Sequence, residues 1–216
     1  MCYCMQIVVE FHLTVEAYAA GYAALTYPRP ERCPNCGTAG QIEGHGFYWR
    51  YPLDVFSRFE IGIKRWYCRA CGKTTSLLPS FLLRFRWYLL AVIQSMVVAR
   101  FETRQSWRQI ETTCTAAGAQ SNRTLKRWCR SFARQAPAWL AAVQQTLAEF
   151  EPAAPGLDPL GAAAGPVAPA PALLDAALQL LAWGKTRWAE LADFGRAERL
   201  RFLWHWGYGR GLARLI

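Results

Sequence analysis

Long hydrophobic runs are missing from this sequence of 216 residues. The most apolar stretch, Trp87 to Ala99, is shorter than the about 18–20 residues that a helix needs to span a bilayer. It also contains the polar residues Gln94 and Ser95. We therefore expect no membrane-spanning helix. The first residues lack the positively charged segment of a signal peptide, which favours a cytoplasmic location.

Sequences typical of catalytic sites are also missing. There is no glycine-rich phosphate loop, no nucleophile elbow and no HExxH sequence. Metal-dependent nucleases and DNA transposases need several carboxylates that converge on magnesium. None of the 15 acidic residues lies in a strand pattern that builds such a core, and Asp54, Glu60 and Glu111 are better explained as turn or surface residues. We therefore expect a protein that is not an enzyme.

Acidic residues are scarce where basic residues are concentrated. The chain has 25 Lys and Arg against 15 Asp and Glu, a net charge of +10. Residues 81–135 hold ten Lys and Arg against only Glu102 and Glu111. A concentration of positive charge favours binding of a polyanion such as DNA. A solvated basic surface that binds nothing has the same composition, so charge alone does not decide whether the protein binds DNA.

Four of the eight cysteines form two copies of a short CxxCG sequence, Cys33 to Gly37 and Cys68 to Gly72. In each copy the glycine lets the backbone curl so that amide groups can point at sulfur. Two such turns brought together place four thiolates in a tetrahedron, the geometry of a closed structural zinc site. We therefore predict one structural Zn²⁺. Its ligands are Cys33, Cys36, Cys68 and Cys71.

Two disulfides in a secreted protein are the alternative explanation for these cysteines. This alternative fails because the chain is not small and loop-rich and shows no signal peptide. His45 lies between the two cysteine pairs, but four thiolates already complete the tetrahedron, so it is not predicted to be a ligand. The remaining cysteines are predicted to be free: Cys2, Cys4, Cys114 and Cys129.

The order of strand-like and helix-like patterns predicts an α+β fold. Its first part is a small zinc ribbon, followed by a helix-turn-helix-like helical module and a C-terminal helical tail. The predicted segments are 1–27 (strand and helix), 28–80 (zinc ribbon), 81–150 (helical module), 151–172 (Pro/Ala-rich linker) and 173–216 (helical tail). Strands are predicted at 5–13, 41–49 and 59–67. Helices are predicted at 15–25, 81–101, 106–114, 122–132, 137–150 and 200–206, and an apolar stripe from Leu174 to Trp188 indicates one more.

A pair of helices in the basic segment has the sequence of a helix-turn-helix. Ser106 is a good N-cap, and Gln109 three residues later completes a capping box. Ser121 is a second N-cap, and the basic helix after it has one apolar face. That face consists of Leu125, Trp128, Cys129 and Phe132. An ordinary helical hairpin with a solvated basic face is the alternative, because the connecting turn is longer than the usual about three or four residues.

A helix-turn-helix places the start of its second helix against base edges in the major groove. The residues predicted to contact bases are Ser121, Asn122, Arg123 and Lys126. The residues predicted to contact phosphates are Arg104, Arg127 and Arg130. In the ribbon, Lys64 and Arg65 interleave with Trp66 and Tyr67, a combination that suits stacking and phosphate contact. The same aromatic residues could equally form the ribbon core.

The cysteine sequences and their surroundings resemble those of a known group of proteins. Cys33 to Gly37, Gly44 to Tyr48 and Arg65 to Thr74 resemble the N-terminal zinc ribbon of insertion-sequence transposases. The continuation Ser76 to Leu83 is closer to an uncharacterised bacterial family in which a zinc ribbon precedes helices. The resemblance covers about residues 5–135, and the catalytic domain of a full transposase is missing. It implies a bacterial DNA-binding protein associated with a mobile element.

Two functions therefore stand as hypotheses. The first is a zinc-dependent DNA-binding protein that acts as an accessory factor or regulator of a mobile element or its transposase. The second is an interaction module that docks a recombinase or another protein through the ribbon and the C-terminal helices. Salt dependence separates them, because phosphate contacts make DNA affinity fall steeply with salt.

Overall fold

The computed structural model describes residues 5–114, 122–150, 168–212 and 215. They belong to two compact units, unit 1 (Met1–Leu90) and unit 2 (Ala91–Ile216). The described residues form a four-stranded sheet and six α-helices, which confirms a mixed fold of strands and helices. None of the described helices combines the length and the apolar character that crossing a bilayer requires.

Unit 1 is built on the sheet. Its strands are β1 (Met5–Val9), β2 (Ile42–Arg50), β3 (Ile61–Cys68) and β4 (Lys73–Pro79). The spatial order is β1-β4-β3-β2, in which β1 is parallel to β4 and the other neighbours are antiparallel. The β4 strand was not predicted as a strand, and its second half, Ser76–Pro79, is buried. The first strand starts where predicted but ends four residues earlier, at Val9 rather than at 13.

One face of the sheet is covered by α1 (Val15–Gly21) and the single 3₁₀ turn that follows it. The helix begins after Thr14, whose hydroxyl accepts a hydrogen bond from the amide of Ala17 at 3.2 Å. Tyr18 is fully buried and donates from its hydroxyl to the carbonyl of Gly62 on β3 at 3.0 Å. A Cβ at Gly62 would lie 2.4 Å from the ring of Tyr22, so only glycine allows this approach.

Residues 81–89 do not form the predicted start of a helix. They are an irregular segment that follows β4, and the helix α2 (Leu90–Phe101) begins only after it. Leu82 and Leu83 are buried in unit 1. Leu82 and Leu89 form an isolated bridge with each other. The prediction was wrong here because an apolar pattern shows that side chains are buried but not whether a helix buries them.

Unit 2 consists of helices. After α2 they are α3 (Trp107–Cys114), α4 (Asn122–Phe150), α5 (Pro169–Lys185) and α6 (Arg199–Gly209). The α4 helix was predicted as two helices separated at Pro137, but it continues through that residue. Its buried stripe runs on both sides of the proline, from Phe132 and Ala136 to Trp139 and Val143. The burial of apolar side chains along the whole stripe therefore offsets the energetic cost of the backbone hydrogen bond that proline cannot form.

The predicted linker, residues 151–172, ends earlier than predicted. The α5 helix begins at Pro169, where proline suits the first helical position because its missing N–H has no helical partner there. Residues 151–167, the rest of the predicted linker, lie outside the described residues. The α5 and α6 helices pack against each other, and α5 also packs against α4.

Gly207 brings α6 into direct contact with α4. A Cβ at this position would lie 2.2 Å from the indole ring of Trp139, which is buried. We therefore expect Gly207→Ala to destabilise the protein by about 1–3 kcal/mol, since overpacking outweighs the better helix propensity of alanine. Urea unfolding measures the effect. Gly209→Ala is the matched control, because a Cβ at Gly209 would meet no atom within 4 Å beyond the adjoining backbone of its own helix. Equal midpoints for the two variants would contradict the prediction.

Candidate metal centre and basic helical face

The two CxxCG sequences fold into turns of the same geometry. Gly37 and Gly72 have φ angles of 75° and 67°, a region that favours glycine. The amide of Gly37 donates to the carbonyl of Cys33 at 2.8 Å, and the amide of Gly72 donates to the carbonyl of Cys68 at 2.9 Å. The amide of Asn35 points at the sulfur of Cys33 at 3.4 Å. The predicted role of the glycines is confirmed.

The turns bring the four cysteine sulfurs into one cluster. The Sγ atoms of Cys33 and Cys71 are 3.7 Å apart, those of Cys36 and Cys68 are 3.8 Å apart, and all four lie within 4.8 Å of one another. A disulfide needs a separation of about 2.05 Å. A tetrahedron with metal–sulfur bonds of about 2.3 Å has sulfur–sulfur edges of about 3.8 Å. The cluster therefore fits a metal ion and does not fit disulfides.

The thiols of the cluster differ in acidity. The hydrogen bond with the Thr38 hydroxyl and the backbone of Thr38 lower the pKa of Cys36 to about 6. Backbone amide contact from Cys71 acts to lower the pKa of Cys68, but burial and the neighbouring thiol of Cys33 raise it to about 11. A bound cation would stabilise the thiolate form of its cysteine ligands.

Side chains around the cluster connect the turns to the sheet. Cys33, Cys68 and Ile42 form a small buried core against which Trp66 packs. Arg69 forms an ion pair with Glu43 on β2 at 2.5 Å. The Nζ of Lys73 donates to the side chain of Asn35 at 3.3 Å. Sequence reasoning missed Thr38 and Glu43; the only signal for Thr38 was its position two residues after Cys36.

The histidine between the turns does not join the cluster. His45 lies with its ring 5.5 Å from the ring of Tyr67, and the group of four ligand atoms consists of cysteines alone. Of the other cysteines, Cys129 is described, and it is a buried thiol outside any disulfide. Cys2 and Cys4 and the side chain of Cys114 lie outside the described residues.

In unit 2 the predicted start of α3 is confirmed. Ser106 and Gln109 form a capping box, in which the amide of Ser106 donates to Oε1 of Gln109 at 2.8 Å and the amide of Gln109 donates to Oγ of Ser106 at 3.3 Å. The ring of Trp107 then lies close to two cations. Arg100 on α2 is 4.9 Å from its centroid and Lys126 on α4 is 5.7 Å from it. These contacts join the three helices at one point.

The α4 helix has the two faces that the sequence predicts. The predicted apolar residues are all buried: Leu125, Trp128, Cys129 and Phe132. Phe132 stacks on Phe101 of α2 at 5.5 Å between ring centroids. The predicted phosphate and base contacts Arg123, Arg127 and Arg130 are exposed. Cations therefore occupy the solvent side of the helix over its first turns.

The other predicted DNA contacts have different surroundings. Ser121 and the connection 115–121 lie outside the described residues, as does the side chain of Asn122, at which α4 begins. Arg104 is exposed in the turn between α2 and α3 and has a φ of 53°. In unit 1, Lys64 lies 4.9 Å from the ring of Phe47 and 5.3 Å from the ring of Trp66.

Residues 33–128 match a family model described as "Domain of unknown function (DUF6431)". The matched segment starts at the first metal-site cysteine and ends inside α4. The description of this family names no activity and provides no link to transposases. The resemblance to transposase zinc ribbons therefore stays a prediction. Searches of curated proteins and of solved structures found no match.

Proposed function

We propose that the chain is a zinc-dependent DNA-binding protein without a catalytic core of its own. The four-sulfur cluster holds one structural Zn²⁺, and the basic face of α4 contacts duplex DNA. The observation that supports the metal is the sulfur spacing of 3.7–3.8 Å in two pairs. The observation that supports DNA binding is the separation of exposed arginines from buried apolar residues on α4.

The choice of zinc follows from the ligand set. Four thiolates in a tetrahedron bind zinc or iron, and zinc is the usual ion of closed structural sites. All four positions are filled by protein, which leaves none for water or substrate. The ion would fasten the turn after Arg32 to the end of β3, where Cys68 is buried. Its proposed role is therefore to stabilise unit 1, in the manner of the zinc ribbon that the sequence predicts.

The proposed DNA contact uses α3 and α4 as a helix-turn-helix. Trp107 and the cations beside it fix the start of α4 against α2 and α3, so the helix can present its arginines in a defined direction. The first half of α4 carries five Lys and Arg and no acidic residue. Such a charge distribution attracts phosphates over several ångströms and supports binding in the major groove.

The resemblance to transposase zinc ribbons supports a further part of the proposal. The protein would act beside a mobile element as an accessory factor or regulator, with a transposase or recombinase as partner. Docking of such a partner without DNA contact is the alternative outcome of the test below.

Two arginines of α4 are expected to have different roles in DNA binding: Arg123 contacts a base and Arg127 contacts a phosphate. Arg123→Ala should weaken binding to a preferred duplex by about 1–3 kcal/mol and relax the preference at one base position. Arg127→Ala should weaken binding to all sequences alike and reduce the salt slope by about one, because one phosphate contact is lost. The measurement is a titration of selected and random duplexes at several salt concentrations.

Arg210→Ala serves as the control for loss of a positive charge. Arg210 is exposed at the end of α6, where it lies over the ring of Trp206, and no DNA contact is assigned to it. Its variant should bind as the wild type does. If Arg123→Ala and Arg127→Ala also bind as the wild type does while remaining folded, the helix-turn-helix proposal fails and the interaction module is favoured.

A further inference from the structure

Unit 1 contains a cleft that the functions proposed so far do not use. Its volume is about 670 Å³, within the range of about 300–1,000 Å³ that is typical of ligand sites. Its floor is one face of the sheet. Gln6, Ser76 and Arg65 are register partners across β1, β4 and β3 and therefore share that face. Its rim is formed by the irregular segment before α2.

The charge of the residues that line the cleft is positive. Arg50, Arg65 and Arg86 line it, and none of its twelve lining residues is acidic. The Nε atom of Arg65 is buried without a hydrogen-bond partner among the described residues. Arg50 donates to the carbonyls of Leu83 and Arg86 rather than to a carboxylate. The half-buried Arg65 therefore offers a guanidinium with an unpartnered Nε, which an anionic ligand can pair with.

The rim presents aromatic rings to solvent. Trp87 is 72% exposed and Phe85 is 68% exposed, although large apolar side chains are ordinarily buried. Tyr51 at the same cleft is also exposed, and the guanidinium of Arg58 lies 4.6 Å from its ring centroid. Isolated exposed aromatic residues need no explanation, but four that line one basic cleft do, since Trp49 is exposed there as well.

The backbone that carries these rings is held in place. The amide of Leu53 donates to the carbonyl of Trp87 at 2.7 Å, and the amide of Leu89 donates to the carbonyl of Leu53 at 3.0 Å. The guanidinium of Arg50 binds two further carbonyls of the segment. Phe85 has a φ of 58°, which costs energy for a residue with a side chain. The rim is therefore a preorganised surface rather than a loose loop.

We propose that this cleft binds single-stranded DNA, with a base stacked on Trp87 and Phe85 and the adjoining phosphate beside Arg65. Aromatic rings next to arginines are the elements by which proteins hold single strands without reading their sequence. A purely anionic ligand leaves the exposed rings unexplained, and a neutral aromatic ligand leaves the arginines unexplained. The inference rests on the proposed function in one respect, that the ligand is DNA, but it uses different residues and a different form of DNA.

The test is a fluorescence anisotropy titration of the zinc-loaded full chain with labelled oligothymidylate of about 12 nucleotides. Trp87→Ala should bind about 5- to 150-fold more weakly, the range expected for loss of one base–aromatic stack. Arg65→Gln should also bind more weakly and should reduce the salt slope. Phe56→Ala is the matched control, because Phe56 is 77% exposed in the same unit and does not line the cleft. Its affinity should equal that of the wild type.

Two further ligands separate stacking from general attraction of anions. An abasic oligonucleotide of the same length keeps the phosphates and removes the bases, so it should bind clearly more weakly than oligothymidylate. Free thymidine monophosphate should compete poorly, because the proposal commits to a strand. Three results would each overturn the inference. They are equal binding of the abasic strand and oligothymidylate, unchanged affinity of Trp87→Ala, and no binding of oligothymidylate by the wild type.

The same variants distinguish failure of this inference from failure of the proposed function. Trp87→Ala should leave duplex binding unchanged, and Arg123→Ala should leave binding of oligothymidylate unchanged. Wild-type protein that binds oligothymidylate but no duplex would reject the α4 proposal alone. Wild-type protein that binds duplex but not oligothymidylate would reject the cleft proposal alone.

Discussion

Replacing Cys68 by serine is expected to abolish stoichiometric metal binding and to unfold the metal-dependent part of unit 1. Structural zinc contributes apparent binding energies of about 10–16 kcal/mol in zinc-finger peptides at neutral pH, more than the total stability of most domains. Cys68 is buried at the end of β3, and its sulfur is 3.8 Å from that of Cys36. Serine there leaves three thiolates and an open side of the tetrahedron.

Elemental analysis and thermal unfolding check this expectation. The wild type should contain one zinc per chain and no iron, and a chelator should lower its stability. Cys68→Ser should contain substantially less zinc and should lose the cooperative unfolding of unit 1. Cys129→Ala is the control, because Cys129 is buried in unit 2 and is not one of the four clustered cysteines, so zinc content should not change even if stability falls. Wild-type protein without zinc, or unchanged melting of Cys68→Ser, contradicts the proposed site.

The metal cluster was predictable because its determinants are local. Each CxxCG sequence specifies its own turn, and the repeat of the sequence implies that the two turns meet. The structure confirms the clustering of Cys33, Cys36, Cys68 and Cys71, whereas zinc as the bound ion stays a prediction. The buried face of α4 was predictable for the same reason, since helical periodicity lies within a few turns of the sequence.

Features that depend on distant partners were missed. Residues 81–89 have an apolar pattern, but they are buried as an irregular segment rather than as a helix. Gly207 looks like a helix breaker, but it lies inside α6 because the ring of Trp139 fills the space beside it. The cleft combines β1 with a segment about 80 residues later in the chain. No local pattern encodes such a meeting.

The ion pairs of Glu102 are the clearest example of a partner that sequence could not predict. Its carboxylate accepts hydrogen bonds from Arg196 and Arg199, which lie 94 and 97 residues away in sequence. The side chain of Arg199 is only 2% exposed, whereas that of Arg196 is 62% exposed. A buried guanidinium needs a counter-charge, and among the described ion pairs Glu102 supplies it.

Glu102→Gln is therefore expected to destabilise unit 2 strongly at neutral pH. Removing one member of a buried pair leaves the other charge uncompensated, at a cost of about 3–5 kcal/mol. The loss of stability in Glu102→Gln should lie toward the lower end of this range, because Glu102 itself is partly exposed. Urea unfolding of the wild type and the variant measures the difference. Glu43→Gln is the matched control, since the pair of Glu43 and Arg69 is exposed on both sides and should change the unfolding midpoint little.

The difference in stability between the wild type and Glu102→Gln should also become smaller at acidic pH. Partial burial acts to raise the pKa of Glu102, but the hydrogen bonds from Arg196 and Arg199 outweigh it and lower the pKa below its usual value. A carboxylate with a lowered folded-state pKa stabilises the protein above its unfolded pKa of about 4.3, and this stability is lost as the pH falls through the folded pKa. The gap between wild type and Glu102→Gln should therefore be constant near neutrality and should narrow below about pH 4. A gap that stays the same down to acid-induced unfolding would show that the charge of Glu102 is not the stabilising feature.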